Sequence, residues 1–226
     1  MIRSGFLSLA FLLGLQFASA QEKVVIDSSY ANGHYRQRLA FFQQMPDSKK
    51  EIVFLGNSIT EAGEWQELVP GKNVKNRGIS GDVTYGVLAR LDEVLSAKPA
   101  KIFILIGIND MKRGIPVDTI TRTYQRIVDK IRSTSPKTRL YIQSVLPVNE
   151  SMLGPSYKNL KNEVIGALNK ALESLARKTG STYVNLHAVM SDEAGQLNKE
   201  FTNDGIHVLP FAYIRWVQFL KKQNHL

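Results

Sequence analysis

The sequence predicts a doubly wound α/β sandwich built on a mainly parallel five-stranded sheet. Two observations point there. Five short strand candidates recur along the chain, most of them apolar on both faces, and amphipathic helical stretches fill the intervals between them. The 226 residues suffice for one domain with a full core, expected over residues 21–226. No internal repeat, low-complexity tract or linker-like stretch breaks that span.

Residues 1–20 stand apart. Arg3 gives a short positive lead, Phe6 to Phe17 is apolar but for Ser8, Gly14 and Gln16, and Ala18-Ser19-Ala20 forms a small-x-small site. This is the layout of a cleavable secretory signal, so export to the periplasm or the extracellular space is expected. The apolar run falls short of the roughly 20 residues that span a bilayer, so no stable membrane anchor is expected. The chain has no cysteine, which excludes a lipid-bearing cysteine and leaves the core to hold the exported protein together.

The strand candidates come in order. Glu51 to Leu55 ends at Gly56, a residue suited to a tight turn that a side chain would obstruct. Asn73 to Asn76 is weaker. Lys101 to Ile106 ends at Gly107, Arg139 to Val145 ends before Pro147, and Ser181 to Leu186 is the last. Helical stripes lie between them. Tyr35, Leu39 and Phe42 mark an early helix. Val87, Leu88, Leu91, Val94 and Leu95 mark another, with Thr84 as its expected N-cap. Ile120, Tyr124, Ile127, Val128 and Ile131 form a stripe stopped by Ser135-Pro136. Leu160, Val164, Leu168, Leu172 and Leu175 form the next, ending in Arg177-Lys178 and Gly180. Ala212, Trp216 and Phe219 mark a closing helix. Trp65 and Trp216 read as packing residues.

Lys and Arg number 29 against 20 acids, a formal charge of +9 that becomes +8 once Arg3 is cleaved away. The basic pairs Lys49-Lys50, Lys112-Arg113 and Lys221-Lys222 are scattered, without arginine-aromatic interleaving. That pattern describes a solvated surface and not a nucleic-acid partner.

Active sites in doubly wound sheets lie beyond the carboxyl ends of the strands, and four segments there carry chemistry. Gly56-Asn57-Ser58-Ile59-Thr60 puts Ser58 at a strand end, where helix-start amides favour developing negative charge. It is not the G-x-S-x-G elbow, because position 60 is threonine. Asp204-Gly205-Ile206-His207 supplies an imidazole able to take a serine proton, with Asp204 three residues away to orient it. Asn76 to Asp82 is a glycine-rich turn in which Gly81 offers an unobstructed N–H, and no Gly-Lys-Ser/Thr follows to make it a phosphate loop. Gly107-Ile108-Asn109-Asp110 offers the neutral side-chain amide of Asn109. Alone, each segment also reads as an ordinary turn or helix cap. Glu61, Asp82 and Asp110 read as turn or network groups. No H-E-x-x-H pair is present to hold a metal.

Together the four segments resemble the SGNH (GDSL-like) hydrolase family, whose four blocks supply Ser, Gly, Asn and His in that order. The resemblance spans about residues 51–216. It implies a flavodoxin-like three-layer sandwich and ester hydrolysis with no metal or cofactor. Ser58 would be the nucleophile, His207 its base and Asp204 the orienting acid, with Ser58, Gly81 and Asn109 forming the oxyanion hole. Asn57 departs from the usual G-D-S block. Asn76 to Asp82 and Gln143 to Asn149 are most similar to the branch related to platelet-activating-factor acetylhydrolase and sialate O-acetylesterases. The resemblance thus implies a small-molecule or glycan ester as substrate, with a short O-acyl group. Two other readings fit the same residues: a lysophospholipase or short-chain lipase, and a non-catalytic glycan-binding module on a hydrolase-like fold.

Overall fold

A computed structural model of the chain describes Met1, residues 28–157 and residues 159–226. Apart from Met1, the expected leader lies outside the described residues. The strands are β1 (Ile52–Gly56), β2 (Val74–Gly78), β3 (Lys101–Leu105), β4 (Arg139–Gln143) and β5 (Thr182–Val184). They form one all-parallel sheet in the order β2-β1-β3-β4-β5. Parallel neighbours need long crossovers, which helices supply. α1 (Gly33–Gln44) precedes the sheet. α2 (Ser58–Glu61) and α3 (Trp65–Leu68) join β1 to β2, and α4 (Thr84–Ala89) and α5 (Leu91–Ser96) join β2 to β3. α6 (Ile108–Lys112) and α7 (Val117–Thr134) join β3 to β4, α8 (Asn162–Thr179) joins β4 to β5, and α9 (Leu186–Met190) and α10 (Pro210–Lys222) close the chain.

The two-residue period of a strand divides the apolar runs between two cores. Val53, Leu55, Ile102, Ile104, Leu140 and Ile142 meet the stripes of α4, α5, α7 and α8. Ile52, Phe54, Phe103, Leu105 and Tyr141 meet Trp65, Met190, Ala212 and Trp216 on the other face. Each fully buried Leu, Ile or Phe contributes about 1.5–3 kcal/mol to folding. Phe54 stacks on Trp65 at 3.9 Å, and Trp65 meets Trp216 edge-on at 5.1 Å. Both tryptophans are core residues, as expected. Their buried N–H groups are satisfied, Trp65 by Thr60 O at 2.7 Å and Trp216 by Gln143 Oε1 at 2.8 Å.

Two expectations need correction. The stripe from Val87 to Leu95 forms two helices, because Arg90 between them leaves helical geometry at φ −103°, ψ 8°. Its buried guanidinium turns to Asp82 Oδ2 and to the carbonyls of Gly56 and Arg77. Thr84 is the first helical residue and not the cap. Extended Val83 takes the cap position, while the Thr84 amide and hydroxyl both donate to Asp110.

The chain reverses its direction of winding between β1 and β3. In sheets of this strand order the crevice at that switch point is where ligands bind. The residues following β1 and β3 stand there.

Candidate active site

Gly56 ends β1 where a Cβ would lie 2.3 Å from both Leu105 O and Thr60 Oγ1, so only glycine allows the chain to turn there. Asn57 then caps α2 by accepting from the Ile59 amide at 3.1 Å. Its Nδ2 is buried with no acceptor among the described residues. The asparagine in place of the usual aspartate therefore keeps the cap through its oxygen. Ser58 is the first residue of α2, so its amide has no partner within the helix. α10 reaches across to hold this helix, Tyr213 donating to Ile59 O at 2.7 Å.

The segment after Phe201 is shaped by its own side chains. The Thr202 hydroxyl accepts from the amides of Asp204 at 3.3 Å and Gly205 at 2.9 Å. Asp204 Oδ1 accepts from the amides of Ile206 and His207 at 2.9 and 2.8 Å, and its Oδ2 meets His207 Nδ1 at 2.6 Å. Asn149 anchors the loop from below, its amide donating to Gly205 O at 2.8 Å. His207 Nε2 then lies 3.0 Å from Ser58 Oγ. Ser58, His207 and Asp204, predicted from segments far apart in the chain, form one hydrogen-bonded line.

Partial burial pushes the Asp204 carboxyl up, but the His207 ring and the amides of Ile206 and His207 outweigh it and hold the group below the usual carboxylate range. An ionised Asp204 fixes the proton on His207 Nδ1 and leaves Nε2 as an acceptor for the serine.

Asn109 is tied to the loop that carries Gly81. Asn109 Nδ2 donates one hydrogen to Asp82 O at 2.9 Å, and an amide nitrogen carries a second. The Gly81 loop is fixed to β1 through the Ile79 amide, which donates to Gly56 O at 3.0 Å. Asp82 and Asp110 are fully buried and do structural work, Asp82 pairing with Arg90 at 2.9 Å and Asp110 accepting from the Thr84 hydroxyl at 2.6 Å. Burial raises both carboxyls to about 6, against the pull of Arg90 on Asp82 and of Thr84 on Asp110. They are network groups, as their turn positions suggested. Sequence reasoning missed Arg90, Thr202 and Tyr213, which hold these loops. The one visible signal was an arginine inside an apolar helical stripe. Among the described residues, no cluster of three or more His, Asp or Glu side chains is placed to hold a metal.

A groove of about 380 Å³ is lined by Ala62, Glu64, Glu67 and Leu68 around α3 and by Val208, Pro210, Tyr213 and Ile214 around the start of α10. Phe211 is 74% exposed at the start of α10.

A five-stranded parallel sheet with a Ser-His-Asp line at its switch point defines a serine hydrolase architecture. The chain belongs to the GDSL-like Lipase/Acylhydrolase family, whose pattern matches residues 54–213, and it is a carboxylic ester hydrolase of that family. A solved structure from Streptococcus pneumonia, described as a platelet activating factor, is 31% identical, covers 84% of this chain and 92% of its own, and superposes with a TM-score of 0.79. A GDSL-like lipase from Bacteroides thetaiotaomicron is 24% identical over 86% of this chain and 97% of its own, with a TM-score of 0.72. The alpha1 subunit of Homo sapiens platelet-activating factor acetylhydrolase IB is 24% identical over 193 residues, 83% of this chain and 79% of that subunit.

Proposed function

We propose that this protein hydrolyses short O-acyl esters, O-acetyl groups foremost, carried on a carbohydrate, through an acyl-enzyme on Ser58. The observation that carries the mechanism is the 3.0 Å approach of His207 Nε2 to Ser58 Oγ. His207 takes the hydroxyl proton as Ser58 Oγ attacks the ester carbonyl. The carbonyl oxygen becomes an oxyanion held by the amides of Ser58 and Gly81 and the second Nδ2 hydrogen of Asn109. His207, held upright by Asp204, gives its proton to the leaving alcohol. A water then loses a proton to His207 and adds to the acyl carbonyl, and His207 returns that proton to Ser58 Oγ as the acid departs.

A short acyl group fits the relatives, which are named acetylhydrolases. Axe2 from Geobacillus stearothermophilus, an acetylxylan esterase and so an enzyme of an acetylated glycan, shares the fold at 17% identity and a TM-score of 0.60. The Ala18-Ser19-Ala20 site supports action outside the cytoplasm, where such polymers lie. The groove that Val208, the residue after His207, helps to line favours a second reading, a short-chain lipase or lysophospholipase, because Val208, Pro210, Tyr213 and Ile214 give it an apolar wall. Glu64 and Glu67, which also line it, oppose a phosphate-bearing substrate.

Purified protein lacking residues 1–20 should be assayed on acetylated xylo-oligosaccharides, acetylated sialic acid, p-nitrophenyl acetate, p-nitrophenyl decanoate and lysophosphatidylcholine. Acetyl release from a glycan at a kcat/KM above that for the decanoate supports the first reading. Preference for the decanoate or the lysolipid replaces it with the second. Turnover of none of them, with no fluorophosphonate labelling of Ser58, points to a binding module.

A further inference from the structure

Glu61 takes no part in the proton relay described above, yet its carboxylate meets polar groups of three residues close to Ser58. It ends the short helix that Ser58 begins, and its carboxylate leaves that helix to meet the loop that carries Gly81. Oε2 accepts from the Ser80 amide at 2.5 Å and from the Ser80 hydroxyl at 2.6 Å. From the other side His34 Nε2 lies 3.1 Å from both carboxylate oxygens, and Arg38 Nε forms an ion-pair contact with Oε1 at 3.2 Å. His34 and Arg38 belong to α1, whose Tyr35 and Phe42 pack on Ile79 of the same loop.

What is clamped is a turn with two possible peptide orientations. The Asp82 amide donates to Ile79 O at 3.1 Å, and Gly81 has φ +81°, the geometry of a type II turn with Ser80 and Gly81 at its centre. A type I turn of the same four residues has the Ser80–Gly81 peptide plane reversed, with the Gly81 N–H pointing the opposite way. The two forms differ by little free energy in a free chain. Holding one of them demands contacts to the flanking residue, and Glu61 supplies two to Ser80. Burial pushes the Glu61 carboxyl up, but the Ser80 hydroxyl, His34, the Ser80 amide and Arg38 together hold it below the usual range. It is therefore an anion at neutral pH, able to accept all these donors at once.

We propose that Glu61 is a positioning residue for the oxyanion hole: its carboxylate docks Ser80 onto the nucleophile helix and so fixes the Gly81 N–H in the orientation that receives the oxyanion. The assignment rests on the esterase reading given above. It makes α1 part of the catalytic apparatus, since His34 and Arg38 press the carboxylate toward Ser80 from outside the sheet.

The test is steady-state kinetics on p-nitrophenyl acetate for Glu61→Ala, Glu61→Gln and Ser80→Ala, with thermal melting of each. Wild-type turnover that disappears in Ser58→Ala establishes the underlying reading first. Absence of that turnover would defeat the reading itself, before Glu61 enters. Loss of a well-placed donor lowers kcat about 10²–10³-fold, and a misaimed one should fall short of that, so Glu61→Ala is expected to lower kcat about 10- to 100-fold with KM changed less than about threefold. Its affinity for a trifluoromethyl ketone, whose carbonyl oxygen becomes the oxyanion when Ser58 adds to it, should fall by a similar factor. Glu61→Gln keeps an acceptor oxygen for Ser80 and should recover most of that loss. Ser80→Ala keeps the amide contact and should show a smaller loss, about 3- to 10-fold. It also serves as the deciding variant if Glu61→Ala does not fold. A purely structural role predicts lower melting temperatures with kcat and ketone affinity unmoved. That result in Glu61→Ala, or in Ser80→Ala in its place, would overturn the proposal.

Discussion

His207 Nε2 stands 3.0 Å from Ser58 Oγ although 149 positions separate the two residues in the chain. The approach is fixed from both sides: Tyr213 holds the Ser58 helix through Ile59 O, and Asn149 holds the His207 loop through Gly205 O. Ser58→Ala and His207→Ala should therefore each lower kcat on an acetyl ester by about 10⁴-fold or more, and the double variant should be little worse than either, because the pair acts as a unit. Neither side chain is core, so each melting temperature should stay within about 2 °C of wild type. Multiplicative losses in the double variant would show that the two groups act independently.

Asp204 performs two tasks with its two oxygens. Oδ1 shapes the loop through the amides of Ile206 and His207, and Oδ2 holds the ring through Nδ1. Asp204→Asn preserves an oxygen for the loop but can present an N–H to the ring, favouring the wrong tautomer. A loss of about 10²–10⁴-fold in kcat is expected, with the circular dichroism spectrum unchanged. Because Asp204 is held below the usual carboxylate range, it stays ionised at neutral pH. The wild-type profile should accordingly show no separate acid limb from Asp204 above about pH 4. Full activity in Asp204→Asn would transfer the orienting role to another group.

The legible parts of this protein were those written in local pattern. Apolar runs bounded by glycine marked the strands, and the stripes ending at Ser135-Pro136 and at Gly180 marked α7 and α8, where Gly180 takes the left-handed conformation at φ 63°. Ser58, Gly81 and Asn109 were legible as candidates because each comes shortly after a strand and the parallel sheet brings those strand ends together, whereas His207 was marked by Asp204 three residues before it, in the loop ahead of α10. What escaped was long-range polar contact. Arg90 looked like a polar interruption in a helical stripe, yet its guanidinium joins Gly56, Arg77 and Asp82. Thr84 suited a cap by type, but Asp110, 26 residues onward, claims its donors. Glu61 read as a turn or network group, but the sequence spacing holds no sign of its partners Ser80, His34 and Arg38.

Asn109 can give one amide hydrogen to the Gly81 loop at Asp82 O and the other to an oxyanion. Asn109→Ala should lower kcat about 10²–10³-fold, corresponding to about 2.7–4 kcal/mol of barrier, with KM nearly unchanged. Removing the bond to Asp82 O should also cost about 1 kcal/mol of stability. Asn109→Asp loses the same donor to Asp82 O and adds a carboxylate that repels the oxyanion. It should be slower still than the alanine variant. Wild-type kcat in either variant would remove Asn109 from the oxyanion hole.

Asp82 and Asp110 also set how stability responds to pH. Burial is the larger influence on each, and it raises both from the unfolded value of about 3.9 to about 6. Between those values the folded chain binds more protons than the unfolded chain, so stability falls as pH rises through the window. Asp204 and Glu61, both lowered, act in a different range, contributing above about pH 4 and losing that contribution below it. His187, lowered chiefly by burial, opposes the aspartates near pH 6, but it is only half-buried while both aspartates are fully enclosed. The melting temperature should therefore be highest between about pH 4 and 5, fall as pH rises to about 6.5, and change little above that. Calorimetric scans at pH 4.5, 5.5, 6.5 and 7.5 would check this, and a steady climb across the series would mean that the Arg90 pair and the Thr84 donors keep both aspartates ionised throughout.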